Sequence, residues 1–558
     1  MERPLVFFSI SLFLGCFFSV IFSKDIYITV IIIFVLHIII YLTLREIKFT
    51  IIMFVFSILG IISFNLYFSF QPEHASVIRI NNKYDYRIEG SVKGRKVILK
   101  NNVKKLKEGQ LVKIESGDFK SNIIYEKGII GEYNIQHYTI QDKDFRSKIY
   151  NLKRNVTNKF IENLGEKRGS IVVSLCFGDS SYLEKEEKED IKKLGVIHAL
   201  SVSGFHLALV YKVFEFIFTM KFAIVGTYLY LVFTGCKYST IRAFIMILVL
   251  RLSDKFYGEY DSISSISLAF LIILFLKPYA FMEIGFMLSF LSTLGILMFN
   301  KKISKYIYFL PSKLNSAISL SLSSQIFLIP YVAFTIKELS IGFLIGNIFL
   351  MPIFSIIIIM GVIGAIISSF KYIFSLCVVI LKNLCILLEG GTYILIKLCP
   401  NLMCIEEIFG IFIITIYICF MMYKAGKTKY KYLPLFLLIA VFFNMYMIFP
   451  KVYLLKNKKV NATIIKYRDK SIMYCNYDIE EGKYIMELKD NFNIDKVITN
   501  EKEQLPIYIR ENKLKAISFY KEYFYKNIDN YKGYDIICMK SNDYKEYKIV
   551  FGKIFRIR

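Results

Sequence analysis

The sequence predicts an all-α polytopic membrane bundle of about 11–13 spans, with a small extracytoplasmic β domain and a soluble C-terminal domain of α/β or β type. Three observations predict it. Of 558 residues 55% are hydrophobic. Apolar runs long enough to cross a bilayer recur along most of the chain. Two polar stretches, 71–155 and 451–558, break that pattern and alternate with period two between turn residues, as strands do.

The runs at 5–22, 26–44 and 50–70 read as three helices that make up 1–70. The first is too long, and too poor in small residues at its end, for a cleaved signal. Arg3 precedes it, Arg45 and Lys48 occupy the second connector, and the first connector (Lys24, Asp25) is neutral. Positive-inside counting therefore puts the N-terminus in the cytoplasm and 71–155 outside.

Within 71–155, pieces such as DYRIEGSV and KVILKNNVKKL are broken by Gly90, Gly94 and Gly109, which predicts a small, partly open β barrel. It holds 18 Lys and Arg against 10 Asp and Glu, a net +8. Long extracytoplasmic domains escape the positive-inside rule, so that excess needs another cause. Lys93, Arg95, Lys96, Lys100, Lys104, Lys105 and Lys107 are interleaved with Val and Ile. Such a face can track a phosphate backbone, as OB-like barrels do, or it can be a solvated lysine-rich surface.

From 170 to 450 the chain is again hydrophobic, with spans expected near 205–218, 221–236, 240–252, 262–277, 280–299, 317–335, 340–368, 371–398, 406–423 and 432–449. The overall charge of +26 belongs by default to cytoplasmic loops and does not by itself name a nucleic-acid partner. Ten cysteines form no CxxC pair, and only Cys475 and Cys538 fall in a soluble segment as disulfide candidates. No GxxxxGK[ST] loop is present, so the chain does not power transport itself.

The most specific segment is FGDSSYLEKEEKEDIKKLGVIHALSVSGFHLALV, 177–210. Its acidic amphipathic piece leads into an expected helix carrying His198, Ser201, Ser203 and His206 in an apolar run. Polar groups there face a bundle interior or an aqueous cavity. His198 and His206 are eight residues apart and could loosely share a lumen, or form a buried hydrogen-bonded pair at the Gly204 crossing. They lack the i, i+4 spacing and acidic partners of metal ligands, so neither metal nor cofactor is expected. Arg242 needs an acidic partner, a membrane interface or a polyanion, with Glu283 and Glu389 as ion-pair candidates. Gly342 and Gly346 suit close helix contact and a homo-oligomer.

This segment resembles the signature of the ComEC/Rec2 competence family through Gly178, Asp179, Gly195, His198, Leu200, Ser203, Gly204 and His206. Further matches follow in order: Thr234, Gly235, Arg242, Ala243 and Met246, then Pro278, Gly285, Phe286, Leu288, Ser289 and Phe290, then Gln325, Pro330, Asn347 and Pro352. Met287 departs from a family Gln and removes one polar group.

The resemblance implies a channel for single-stranded DNA in the cytoplasmic membrane, with a path by Asp179, His198, Ser203, Gly204, His206 and Arg242. It also implies an external DNA receptor and a cytoplasmic helicase-like motor as partners, beside membrane lipid. Members of the family often end in a metallo-β-lactamase-like domain, but 451–558 contains no histidine and resembles at most a metal-free remnant. Two alternatives remain. One is a membrane enzyme acting on a lipid or cell-wall precursor, with Asp179, His198 and His206 as its acid–base set. The other is a degenerate paralogue without uptake activity.

Overall fold

The computed structural model describes residues 3–445 apart from 23–24, 73–75, 84–86, 102, 104–105, 142–143, 400–402, 405–406, 428 and 430–431; beyond 445 it describes residue 494 and the strands named below. Cys538, Lys104 and Lys105 therefore lie outside the described residues. The protein is mostly helical and divides into two compact units, 1–331 with 340–402, and 332–339 with 403–558.

Helices α1 (Pro4–Ile21), α2 (Ile26–Leu44) and α3 (Ile47–Phe68) coincide with the first three apolar runs to within a few residues. Helix is the outcome because a lipid-facing backbone must satisfy its own N–H and C=O groups. Gly15 and Gly60 let α1 and α3 touch through their backbones. A Cβ on Gly15 would sit 2.1 Å from the Ser57 carbonyl oxygen, and one on Gly60 2.4 Å from that of Leu12. We expect Gly15→Ala to cost about 1–3 kcal/mol by overpacking, seen as a lower thermal midpoint of the solubilised protein. An unchanged midpoint would contradict this close approach.

Five strands follow: β1 (Val77–Lys83), β2 (Ile88–Val92), β3 (Arg95–Lys100), β4 (Leu111–Lys120) and β5 (Ile129–Ile140). They close in the order β1-β2-β3-β5-β4, with β3 parallel to β5. The barrel is closed rather than partly open, because long β4 and β5 are irregular around Ile114 to Gly117 and β4 also pairs with β1. The β2–β3 hairpin turns on Lys93 (φ 46°) and Gly94 (φ 83°), the doubly left-handed geometry of a two-residue turn. The barrel's apolar interior continues into Phe64, Tyr67 and Phe68 of α3 and into Tyr279.

The strands end at Ile140, and the chain crosses position 155 as α4 (Phe145–Leu164), which buries Val156, Phe160 and Leu164 at four-residue spacing. Next come α5 (Glu166–Phe177), α6 (Lys185–Lys193), α7 (Gly204–Ile217), α8 (Met220–Phe233), α9 (Tyr238–Lys255), α10 (Ser262–Leu276), α11 (Ile284–Tyr306), α12 (Ser312–Thr335), α13 (Phe343–Ile367) and α14 (Lys371–Leu398). A separate apolar core joins α4, α5, α13 and α14 around Phe160, Cys176, Phe354 and Leu381.

Among the described residues, six helices are long and apolar enough to cross a membrane, and four more apolar helices are shorter. That is fewer full-length spans than the hydropathy runs predict. Two expected spans fall short by length: the 14-residue α7 and α8 each rise about 21 Å, against a hydrocarbon core of about 30 Å, whereas α2 is no shorter than α1.

The second unit contains α15 (Glu407–Lys424), α16 (Leu433–Met445) and a short pairing of Glu338–Leu339 with Met403–Cys404. It also contains a six-stranded sheet in the order Lys496–Thr499, Lys470–Asn476, Asn461–Tyr467, Lys451–Lys456, Lys545–Val550, Lys553–Arg556. Three short strands, Lys513–Ala516, Ile507–Arg510 and Asp535–Ile536, form a smaller sheet.

Candidate functional site

The polar residues of 177–206 do not share one helix. The chain makes a left-handed turn at Gly195 (φ 69°), a single 3-10 turn at Ile197–Ala199, and begins α7 only at Gly204. The continuous helix expected through His198 and His206 is thus corrected. Ser203 ends the loop because its extended backbone and side chain cap α7.

The Ser203 N–H donates to His206 Nδ1 at 3.2 Å, and its hydroxyl lies 2.8 Å from the same nitrogen. An Nδ1 that accepts leaves the neutral ring's proton on Nε2. That atom is buried and has no hydrogen-bond partner among the described residues. The two histidines do not bond to each other: His206 is fully buried, whereas His198 sits on the exposed 3-10 turn between buried Val196 and Ala199.

Three stretches far apart in sequence meet at this loop. Lys237 Nζ donates to the Gly178 carbonyl at 2.9 Å, and Ser239 Oγ to that of Val202 at 2.9 Å. Gly178 is left-handed (φ 69°), and a Cβ there would press on Val202 and Lys237 Nζ at 2.8 and 2.9 Å. Farther along α9, the Arg242 guanidinium lies against the α7 start, with Nη2 2.5 Å from where a Gly204 Cβ would be. The guanidinium also lies 6.0 Å from the Phe290 ring, which meets Phe270 edge-on and Phe286 at a tilt in the same core.

Glu283 and Glu389 are not the partners of Arg242. Glu283 Oε1 accepts Lys96 Nζ at 2.6 Å and the Tyr238 hydroxyl at 3.3 Å, and Glu389 forms a two-pronged pair with Arg168 at 3.0 and 3.1 Å. No hydrogen bond or ion pair reaches Arg242 from the described residues, although only 8% of it is exposed.

Asp179 stands beside the loop with its Oδ1 taken by the Ser181 hydroxyl at 2.6 Å. Lys153 of α4 and Lys237 share its field. Burial pulls the Lys153 ammonium below the ordinary lysine range, against the opposing charges of Asp179 and Glu108. Burial, then the charge of Lys153, does the same to Lys237. Sequence reading left both lysines out of the site; Lys237, directly before the Arg242 helix, carried a signal that could have been weighed.

Further along, Ser289 Oγ, Gln325 Oε1 and Asn347 Oδ1 are buried without partners among the described residues, and Asn347 Nδ2 donates to Ser321 Oγ at 3.2 Å. These polar atoms lie on α11, α12 and α13. No three His, Cys, Asp or Glu side chains converge as a metal group among the described residues.

The barrel's basic residues are largely engaged within the first unit. Arg95 caps the end of α3, donating to the Leu66 and Tyr67 carbonyls at 2.9 and 3.2 Å, and stacks over Phe70 at 4.2 Å. Lys96 reaches Glu283, and Lys100 pairs with Glu132 at 2.5 Å. Gly342 and Gly346, read as a helix-dimer motif, face the chain's own Lys193 and Leu194 carbonyls.

Such a set of long apolar helices defines a multi-pass membrane protein. Residues 175–429 match the Competence protein family model, in line with the family resemblance read from the sequence. The chain is 24% identical over 235 residues to ComE operon protein 3 of Bacillus subtilis (strain 168), covering 40% of this chain and 30% of that protein. It is 31% identical over 117 residues to Uncharacterized protein MG316 of Mycoplasma genitalium, covering 20% of this chain and 30% of that protein. The matches thus span less than a third of either relative's length. No solved structure matches the chain.

Proposed function

We propose that the protein conducts single-stranded DNA across the cytoplasmic membrane during natural transformation. The observation that carries this reading is the convergence of the Gly178–Asp179 turn, the 200–203 loop and the start of α9 on one polar site, in the region that matches the competence family. Polar and charged groups in lipid are costly, about 2.5–3.5 kcal/mol for an ionised side chain on the insertion scale, so they persist where a ligand or water receives them.

In this reading the barrel is of oligonucleotide-binding type. Its order β1-β2-β3-β5-β4, with β3 parallel to β5, supports that class. It faces the cell exterior and receives the strand through Lys93, Arg95 and Lys96, which lie at its junction with α3 and Glu283, and through Lys100, which pairs with Glu132 on β5. An external receptor and a cytoplasmic motor act at either end. The acid–base alternative is not favoured, since no hydrogen bond joins Asp179 to either histidine among the described residues.

The orientation has a direct test. A reporter fused after Phe70 is expected outside and one after Arg45 inside, from the basic residues flanking α1 and α2. A cytoplasmic reporter at Phe70 overturns the receiving role of the barrel.

The junction has another. Changing Lys93, Arg95, Lys96 and Lys100 together to Gln in the full chain is expected to weaken single-stranded DNA binding and flatten its salt dependence, because each neutralised phosphate contributes to the salt slope. An unchanged slope would remove the barrel face from the DNA path.

A further inference from the structure

We propose that Arg242 and the first turn of α7 form a discrete anion site for one phosphodiester group of the passing strand. This rests on the DNA-conducting reading and makes it specific. A helix start leaves its first N–H groups without intrahelical acceptors and carries a partial positive charge. Ser203 and His206 fold onto each other at this start, so the turn is fixed before any ligand arrives.

The second, independent observation is Arg242. It is 92% removed from solvent, has no acceptor among the described residues, and its Nε is buried and unpaired. Its Nη2 is aimed at Gly204, the first residue of α7, in the space that any larger side chain would fill. A permanent cation kept in that position without a protein anion calls for an external one, and a guanidinium beside helix N–H groups suits phosphate oxygens. Two other helix-borne arginines meet carboxylates: Arg168 meets Glu389, and Arg251 meets Glu215 and Asp254. Among the described residues none pairs with Arg242 at the crossing of α7 and α9.

The test uses the full chain in nanodiscs of zwitterionic lipid. Inorganic phosphate, compared with chloride at equal ionic strength, is expected to raise the thermal midpoint of the wild type by mass action. A labelled single strand is expected to bind about tenfold more tightly than the same sequence with an uncharged methylphosphonate backbone. Arg242→Gln should erase the phosphate shift and weaken the charged strand about tenfold while leaving the uncharged strand unaffected. Gly204→Ala, a smaller change that displaces Nη2, should act in the same direction, and Arg242→Lys should recover part of the loss.

No phosphate shift in the wild type overturns the site, whatever the variants do. So does equal loss of both strands in Arg242→Gln. If phosphatidylglycerol added to the nanodiscs abolishes the phosphate shift, the anion is a lipid headgroup and the proposal falls. The two levels separate cleanly. Phosphate binding by the wild type with normal cellular uptake in Arg242→Gln leaves the anion site but takes it off the conduction path, whereas uptake lost in Arg242→Gln with no phosphate binding by the wild type leaves the conducting role and refutes the site.

Discussion

Arg242→Leu is expected to reduce internalised DNA at least tenfold while the protein accumulates at its normal level or above. The reasoning is asymmetric. The guanidinium has no partner among the described residues, so its removal strands no buried acceptor, and Leu is cheaper in an apolar helix than an unpaired cation. Had Arg242 been a member of a buried ion pair, truncation would have lowered folded yield first. Protein level and nuclease-protected label must come from the same cells. Loss of both together would make Arg242 a structural residue, and uptake unchanged at normal level would remove it from the path.

Gly346→Val is the second large effect, and it acts on the fold that holds the site. A Cβ at Gly346 would lie 2.2 Å from the Leu194 carbonyl oxygen and 3.0 Å from Val196. One turn away, Gly195 packs its left-handed backbone against Phe343, 2.6 Å from where a Cβ would be. The start of α13 therefore braces the turn that leads into His198 and Ser203. The clash is with backbone, which cannot rotate aside, so destabilisation at the upper end of the overpacking range, about 3 kcal/mol, is expected. Denaturant or thermal unfolding of the purified variant measures it. Wild-type stability would mean that α13 does not brace the loop, and a change confined to oligomer size would restore the dimer reading of Gly342 and Gly346.

Much of the helical layout is visible in the sequence because an uninterrupted apolar run in lipid has one outcome for its backbone. Residues 26–44 were read as a helix, and α2 spans Ile26–Leu44. Period-two segments around Gly94 likewise became β2 and β3. The helix α4 was missed because its charges resemble a solvated tail, although Val156, Phe160 and Leu164 already carried a four-residue stripe.

The loop before α7 was read as helix for a different reason. Polar residues within an apolar run look the same in a helix and in a buried loop, and only the cap formed by Ser203 and His206 distinguishes the two. Partner choice was least legible. Glu283 is 41 residues from Arg242 yet serves Lys96 of the barrel, 187 positions away, a pairing that depends on where β3 docks.

Lys96 and Glu283 deserve a smaller prediction on that account. Their side chains are about a quarter exposed, so a double-mutant cycle is expected to return a coupling of about 0.5–1 kcal/mol, falling as salt is raised. Zero coupling at low salt would show that the aromatic contacts of Tyr67 and Tyr279 alone seat the barrel.

The central claim is DNA conduction, and the most direct measurement follows labelled DNA in a strain lacking this protein. Cell-surface label should remain while nuclease-protected label falls to background and returns when the intact gene is restored. Protected label at the wild-type level in the deletion strain would contradict the account.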